Sequence, residues 1–257
     1  MINKHNYPIL EYDTNLKGVI HAPNHYKKLE NISGACVFTF FSEAIEKLKK
    51  SGKIKEISVL HSEAGRHPIY EMPVKDSFVL IFQPLIGSAC AAAFMEELIA
   101  IGVNRFIACG ACGVLNPELL HGHIIIPNEA LRDEGTSYHY LPPARTINLD
   151  PISIKIIKSK LNKRHLEYIT GKVWTTDAFF RETPEMVAYR KSEGCIAVEM
   201  ECATFACVSQ FRKVKFGQIL YAGDDVSGKE WNNRNWKSNK DQRLELIEIS
   251  AEIALEL

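Results

Sequence analysis

The sequence predicts a single α/β domain in which short strands alternate with helices. Apolar runs rich in β-branched residues recur along the chain, and segments with helical spacing lie between several of them. Strands that alternate with helices favour parallel pairing through right-handed crossovers, and hence a layered fold. A length of 257 residues also fits one large core better than two small ones. We therefore expect residues 1–257 to form one domain.

The individual elements are predicted from apolar periodicity. Six short apolar runs are predicted to be strands: Ile57–Leu60, Phe78–Phe82, Phe106–Cys109, His123–Pro127, Ile196–Val198 and Gln218–Ala222. The predicted helices are Ser88–Ile101, Pro151–Leu161 with Ile152, Ile156 and Ile157 on one face, and a C-terminal stripe of Leu244, Ile247, Ala251 and Leu255. The irregular stretches Leu131–Asp150 and Gly223–Lys240 are predicted to be long loops, which often carry function.

Composition argues against several kinds of partner. Lysine and arginine number 31, as do aspartate and glutamate, whereas nucleic-acid and anionic-membrane surfaces favour clustered positive charge. No apolar run approaches the roughly 20 residues that cross a bilayer, and the first residues lack a signal-peptide core. Seven cysteines are an odd number in a chain too large to need disulfides. We expect a cytoplasmic protein with a small-molecule partner, neither a nucleic acid nor a membrane.

A predicted strand that runs into Cys-Gly-Ala-Cys-Gly, at Phe106–Gly113, is the first candidate site. Small residues after a buried strand let backbone N–H groups approach an anion or a sugar. The pair Gly110 and Gly113 alone forms neither a dinucleotide fingerprint nor a P-loop. Glycines also occur in ordinary turns that bind nothing, so a binding site and a simple turn both remain possible interpretations of this segment.

The same segment contains Cys109 and Cys112, followed by His121 and His123. Two thiolates and two imidazoles are able to hold zinc in a tetrahedral site. The spacing of these residues is unlike that of common zinc sites, and Cys109 is the last residue of a strand that is predicted to be buried. We expect core cysteines and no metal.

Carboxylates follow two of the predicted strands. Glu199 and Glu201 flank Met200 directly after the predicted strand Ile196–Val198. Carboxylates at this position either stabilise the N-terminus of a following helix through its dipole or bind a sugar diol. Asp224 follows a strand and a glycine, at the strand end where open α/β sheets bind ligands. An ordinary turn or helix cap explains Asp224 equally well.

Adjacent aromatic residues and an arginine stand at Phe179, Phe180 and Arg181. Such a group is able to stack on a planar base and to hydrogen-bond to it. Packing of the two rings in the core is the alternative, and the pattern alone favours it.

Taken together and in this order, these segments resemble the nucleoside phosphorylase/uridine phosphorylase superfamily. Val198-Glu199-Met200-Glu201 is similar to its V-E-M-E signature. The other segments that carry the resemblance are Ile86–Leu98, Cys109–Leu115, Arg132–Tyr140, Thr176–Phe180 and Gly223-Asp224. The resemblance implies a three-layer α/β/α fold around a central mixed, partly barrel-like sheet, and a homo-oligomer between a dimer and a hexamer.

The resemblance also implies roles for single residues. Glu201 is expected to bind the ribose hydroxyls, with Glu199 beside it and Met200 against the sugar. Phe179 is expected to stack on the base, and Asp224 to act as the general acid. A carboxyl group that is positioned as a general acid typically accelerates a reaction about 10²–10⁴-fold.

The chain departs from the family at the phosphate site. The family's N-terminal phosphate loop is absent, and Ala108 stands where a phosphate-binding arginine is expected. The remaining candidates for phosphate are the backbone of Gly110, Ala111, Cys112 and Gly113, the hydroxyl of Ser88, and the cations Arg66 and Arg132, with Arg66 contributed by a neighbouring subunit.

We therefore expect a nucleoside phosphorylase, which cleaves the N-glycosidic bond of a nucleoside to free base and (deoxy)ribose 1-phosphate. Inorganic phosphate is the expected co-substrate, with no other cofactor. Two alternatives remain open: a nucleosidase that uses water, and a non-catalytic nucleoside-binding protein.

Overall fold

The computed structural model describes residues 2–257, which form a ten-stranded sheet and six α-helices. The strands are β1 Ala35–Thr39, β2 Lys55–Ser62, β3 Gly65–Val74, β4 Ser77–Phe82, β5 Arg105–Val114, β6 Ile124–Asp133, β7 Thr146–Asn148, β8 Tyr168–Thr176, β9 Cys195–Glu199 and β10 Lys215–Asp225. The helices are α1 Ser42–Lys50, α2 Ser88–Ile101, α3 Pro151–Lys163, α4 Pro184–Ser192, α5 Cys202–Arg212 and α6 Lys240–Ala254.

Part of the sheet closes on itself. β10 pairs in parallel with β5 and antiparallel with β6, so that β10, β6, β8, β9 and β5 form a ring of five strands. β1, β4, β3 and β2 continue outward from β5 as an open flank. The sheet mixes parallel pairs, such as β1 with β5, and antiparallel pairs, such as β5 with β9. The predicted mixed and partly barrel-like sheet is confirmed.

Helices cover both faces of the sheet, and alternate side chains of a strand therefore pack against helices on opposite faces. Cys36 and Phe38 of β1 point toward α2 and α5, in one core cluster. Ala35 and Val37 point the other way, into a cluster with α1, α3 and α6. The three-layer α/β/α architecture follows, and the predicted fold class is confirmed.

All six predicted strands lie within or overlap observed strands, and the predicted helix Ser88–Ile101 coincides with α2. On α3, Ile157 is buried but Ile152 is 58% exposed, so the predicted apolar face is wrong at Ile152. The first turn of α3 lies at the surface, and in this turn Ser153 rather than Ile152 faces inward.

The segment Gly110–Gly113 is part of β5 and not a loop. β5 continues beyond its pairing with β1 because β10 remains alongside as far as Val114, and β9 pairs with its last two residues. The predicted loop Leu131–Asp150 likewise begins inside β6 and contains a short 3-10 turn and β7. Among the residues from 2 onward, no helix combines the length and apolarity that a membrane span requires.

Candidate active site

The acidic residues predicted from sequence meet around the end of β5. Val198 of β9 pairs with Gly113, and Ala222 of β10 pairs with Cys112 on the other side. Glu199 and Asp224, one and two residues further along their strands, therefore flank Cys112. Burial, together with the negative charges of Asp224 and Glu199, raises the pKa of the Cys112 thiol well above its ordinary value.

Glu201 is buried immediately before α5 and is tied to the start of α2. The backbone N–H of Gly87 donates to Glu201 Oε1 at 2.7 Å. Gly87 has a φ of +101°, in a region that side chains avoid, so a glycine is required there. Within residues 2–257, no group donates a hydrogen bond to the other carboxyl oxygen, Glu201 Oε2. Burial first, and then the charge of Glu199, raise the pKa of Glu201 above its ordinary value.

Both carboxyl oxygens of Glu199 accept hydrogen bonds from other residues of the chain. Its Oε1 accepts from the Thr175 hydroxyl at 2.5 Å. Its Oε2 accepts from the backbone N–H groups of Glu201 at 2.8 Å and of Cys202 at 2.7 Å. Burial raises the pKa of Glu199, while these bonds oppose the rise. The carboxyl of Glu199 therefore holds the turn that presents Glu201.

Ser88 and Met200 are joined directly. The Ser88 hydroxyl is buried and donates to the Met200 carbonyl at 2.7 Å. This bond fixes the turn between β9 and α5 against the first residue of α2. The hydroxyl proton of Ser88 is engaged in this bond, so Ser88 offers an incoming group only its oxygen.

Asp224 and Asp225 are adjacent but differ in their surroundings. Trp231 Nε1 donates to Asp224 Oδ2 at 2.6 Å, and no hydrogen bond from residues 2–257 goes to Oδ1. Asp225 accepts from the Ser227 N–H at 2.8 Å and forms an ion pair with Arg234. Burial alone would raise the pKa of Asp225, but these partners outweigh it and lower that pKa.

Gly113 lies between Val198 of β9 and Asp224 of β10. A Cβ atom at Gly113 would lie 3.1 Å from Val198 Cγ1 and 3.6 Å from Asp224 Oδ1. A side chain at position 113 would therefore press on Val198 of β9, whereas its distance to Asp224 is an ordinary contact.

The aromatic pair lies at the surface in a short 3-10 turn, Phe179–Arg181. Phe179 is 51% exposed and Phe180 is 87% exposed, with ring centroids 4.1 Å apart. The alternative of core packing is thus wrong for these rings. Arg181 is exposed and makes no side-chain hydrogen bond or ion pair with the described residues.

Glu182, which was not among the residues predicted from the sequence, follows this turn. It is partly buried, and burial together with the nearby charge of Asp224 raises its pKa to about 7. The only signal in the sequence is its position directly after two aromatic residues and an arginine. The structure therefore adds a carboxyl group to the predicted set.

The donors of Arg132 are used within its own loop. Its guanidinium is buried and donates to Ser137 Oγ at 2.8 Å, to the Pro142 carbonyl at 2.8 Å and to the Leu141 carbonyl at 3.2 Å. It also lies 4.5 Å from the centre of the Tyr138 ring. Arg132 thus holds this loop in place.

Arg66 lies at the hairpin end of β3. It is exposed and pairs with Glu56 at 2.9 Å. Within this chain it makes no hydrogen bond to Gly110–Gly113. The structure therefore does not bring Arg66 and the predicted phosphate segment together within one chain.

The segment Gly110–Cys112 has an open edge. β1 pairs with β5 only as far as Thr39 opposite Cys109, while β10 covers the other edge as far as Ala222. A Cβ atom at Gly110 would lie 3.4 Å from the Phe40 ring, so the glycine lets the chain after β1 approach closely. Among residues 2–257, no group of three His, Cys, Asp or Glu side chains is arranged to hold a metal ion.

Comparison with known proteins gives a family match over most of the chain. A family model described as the phosphorylase superfamily matches residues 35–256. The chain is 29% identical over 146 residues to a guanosine phosphorylase of Halorubrum lacusprofundi, a match that covers 56% of this chain and 61% of that protein. The chain spans about three fifths of the length of the curated relatives it matches.

Solved structures share the fold at low identity. A purine nucleoside phosphorylase from Toxoplasma gondii in complex with immucillin-H has a TM-score of 0.74 and 16% identity, covering 94% of this chain and 99% of that one. An AMP nucleosidase from Bacteroides thetaiotaomicron has a TM-score of 0.65 and 24% identity, covering 88% and 93%. At such identities the likeness shows the fold alone.

Proposed function

Because the chain belongs to the phosphorylase superfamily, we propose that it cleaves the N-glycosidic bond of a nucleoside with phosphate, releasing a free base and a pentose 1-phosphate. The observation that carries this proposal is the pair of carboxyl groups on either side of β5. Glu201 and Asp224 each keep one oxygen without a hydrogen bond from residues 2–257. Between them lies a strand end made of small residues, Gly110–Gly113.

Glu201 is the proposed ligand of the sugar. Once ionised, its carboxylate accepts hydrogen bonds from the two hydroxyls of a cis-diol, while Gly87 holds the other side of the group. Glu199 positions this group through the backbone N–H of Glu201 rather than by contacting the sugar itself. Met200 packs against the ribose.

Asp224 is the proposed general acid. Cleavage leaves positive charge on the sugar and negative charge on the departing base, so a proton delivered to the base stabilises the transition state. The electron pair of the C1′–N bond goes to the base, the proton of Asp224 neutralises it, and a phosphate oxygen bonds to C1′. Trp231 holds Oδ2 and leaves Oδ1 to face the base, which Phe179 covers by stacking.

The open edge of Gly110–Cys112, with its backbone N–H groups, is the proposed phosphate site. Ser88 would serve this site as a donor only by giving up its bond to the Met200 carbonyl. A buried anion needs charged or hydrogen-bonding partners. With Arg132 engaged by its own loop, the cation we propose is Arg66 of a neighbouring copy, which makes the functional unit a homo-oligomer.

Water is the second candidate nucleophile, and one observation favours it. Ala108 takes the place of an expected arginine, and the three donating nitrogens of Arg132 are already bonded to protein oxygens. A site without a cation binds neutral water more readily than phosphate.

The test is base release from a panel of nucleosides, with and without phosphate, measured by chromatography. Release that requires phosphate supports phosphorolysis, and equal release in its absence supports the hydrolase. The Asp224→Asn variant, which keeps the size of the side chain, controls for a contaminating activity. A parent protein that binds nucleosides and releases no base under either condition contradicts both.

A further inference from the structure

Two cavities adjoin each other at the place where α3 ends and β8 begins. The first has a volume of about 620 Å³ and the second of about 530 Å³. Asn162 of α3 and Tyr168 of β8 line both cavities, so the two form one cleft. The backbone keeps the two elements close, because the His165 N–H donates to the Asn162 carbonyl at 3.0 Å and turns the chain back toward β8.

This cleft lies apart from the candidate active site. Leu166 and Tyr168 pack against the core cluster on the α1, α3 and α6 side of the sheet, whereas Cys202 at the start of α5 belongs to the cluster on the opposite side. Tyr168 begins β8, and Thr175, whose hydroxyl donates to Glu199, lies next to its end. At a rise of ~3.3 Å per residue in a strand, Tyr168 and Thr175 are ~23 Å apart. The cleft is therefore a second site and not an extension of the first.

The second cavity collects positive charge. Its lining residues are Lys155, Lys158, Ser159, Asn162, Lys163 and Tyr168. The three lysines of this cavity form no ion pair with residues 2–257, whereas Lys160 on another side of α3 pairs with Glu252 and Glu256. α3 carries four lysines and no acidic residue, in a chain whose net charge is zero. The cavity therefore offers cations and hydroxyl or amide donors without a protein anion to neutralise them.

Stabilisation of α3 does not explain this group of lysines. Lys163 lies in the last turn, where the helix dipole favours a cation, but Lys155 lies in the second turn, where that effect has faded. Lys155 and Lys158 are three positions apart on the same side of the helix, so their like charges repel each other. An anion bound in the cavity would remove this repulsion.

The first cavity suits a planar heteroaromatic group. Its lining includes the apolar side chains of Ile124, Leu166 and Ile169 and the polar or aromatic side chains of His165, Glu167 and Tyr168. The ring of Tyr168 offers a face for packing, while Asn162 and Glu167 offer hydrogen-bond donors and acceptors. Its volume lies within the range of small-molecule sites. Glu167 lines this cavity and not the one with the lysines, so the acidic and basic side chains are kept in separate parts of the cleft.

We propose that this cleft binds a nucleotide, with the base in the first cavity and the phosphates against Lys155 and Lys158 in the second. A nucleoside triphosphate joins a planar base to a chain of anionic phosphates, and lysine binds phosphate as a point charge. A nucleoside without phosphates would leave the lysines without a partner, and an inorganic polyphosphate would leave the first cavity empty. This site is independent of the proposed cleavage and exists whether or not the chain releases a base.

The test is equilibrium binding of ATP, GTP, UTP, adenosine and inorganic triphosphate, measured by calorimetry without added metal ions. The Lys155→Gln/Lys158→Gln double variant is expected to weaken binding of the preferred nucleotide about 10-fold or more. Raising the salt concentration should weaken binding to the parent, because exposed charges are screened. The control is Lys50→Gln/Lys55→Gln, which removes two other exposed lysines without ion pairs and is expected to match the parent.

Two further variants locate the parts of the nucleotide. Glu201→Gln is expected to bind the nucleotide as the parent does, because Glu201 lies outside the cleft. His165→Asn removes the ring while keeping a residue type that tolerates the φ of +55° at this position. It is expected to weaken nucleotide binding and to leave triphosphate binding unchanged.

Four results would overturn the proposal. The first is loss of nucleotide binding in Glu201→Gln with none in the lysine variant, which would place the nucleotide in the candidate active site. The second is triphosphate binding as tight as that of the nucleotide, which would leave the base without a role. The third is a parent that binds none of the three nucleotides. The fourth is a single-stranded RNA that binds through the same lysines more tightly than any nucleotide.

Discussion

Gly87 donates its backbone N–H to Glu201 Oε1 at 2.7 Å, across 114 positions of sequence. This bond joins the start of α2 to the start of α5. Ser88 adds a second link through the Met200 carbonyl. Because both helices begin at this point, the orientation of the Glu201 carboxyl is set by the packing of two whole helices and not by a flexible loop.

Glu201→Gln is expected to lower kcat/KM for ribonucleosides by two orders of magnitude or more. The amide keeps the shape of the side chain but weakens charge-assisted bonds, each worth about 1.5–3 kcal/mol. Since Glu201 has a raised pKa, kcat/KM of the parent should rise with pH as this group ionises, and the variant should lose that rise. Full activity of Glu201→Gln on ribonucleosides would show that another group binds the diol.

Glu182→Gln is expected to flatten the pH dependence of stability. The pKa of Glu182 is raised from 4.5 to about 7, so the folded chain binds more protons than the unfolded chain in this window. The free energy of unfolding therefore falls as pH rises from about 4.5 through 7. At pH 8 the variant should melt about 2–4 °C above the parent, as ~1 kcal/mol gives in a domain of this size, and at pH 4.5 the two should agree. Glu185→Gln, at an exposed first-turn position of α4, is the control, and an identical slope in Glu182→Gln would contradict the assignment.

The sequence predicted strands that are bounded by polar turns, but it missed α5. Residues Cys202–Ser209 are buried on every side of this helix, so no polar stripe marks its period. β3 was missed for another reason, since Pro68 and Pro73 interrupt its pattern. Long-range packing, not local propensity, determines both elements.

The sequence predicted that Glu201 and Asp224 lie where strands end, and the structure places Glu201 just after β9 and Asp224 at the end of β10, while their roles stay predictions. The position of Arg132 was not predictable, because nothing in the spacing shows that Ser137, Leu141 and Pro142 accept all three of its donating nitrogens. Glu182 was missed because its raised pKa depends on burial and on the charge of Asp224, which is distant in sequence.

Asp224→Asn is expected to depress cleavage of purine nucleosides by about 10²–10⁴-fold, because the variant has no proton to deliver to the base. Substrates with a good leaving group, which need no protonation, should be spared. Asp225→Asn is the matched variant and should instead lower the melting temperature, since it weakens the ion pair with Arg234 and the bond to Ser227. A damaging Asp225→Asn beside a mild Asp224→Asn would assign the acid to Asp225.

The two phosphate arginines predicted from sequence should separate into different phenotypes. Arg132→Ala leaves buried carbonyl and hydroxyl groups of its loop without donors, which costs ~2–3 kcal/mol and lowers the melting temperature by roughly 5–10 °C. Arg66→Ala removes only an exposed ion pair, which contributes little to stability. If Arg66 serves the site of a neighbouring copy, its loss should raise KM for phosphate about 10-fold or more and leave KM for the nucleoside unchanged.

The two variants are compared by steady-state kinetics at varied phosphate concentration, which give KM, and by melting curves of the same preparations. Lys55→Ala removes an exposed cation from the adjoining strand β2 and serves as the matched control for charge. Mixing Arg66→Ala with Glu201→Gln chains tests the neighbour directly, because a mixed oligomer contains sites with an intact Glu201 and a partner's intact Arg66. Recovery of phosphate-dependent activity on mixing would establish a shared site. A phosphate dependence that survives Arg66→Ala unchanged would instead place the cation elsewhere, and a parent without phosphate dependence would favour water as the nucleophile.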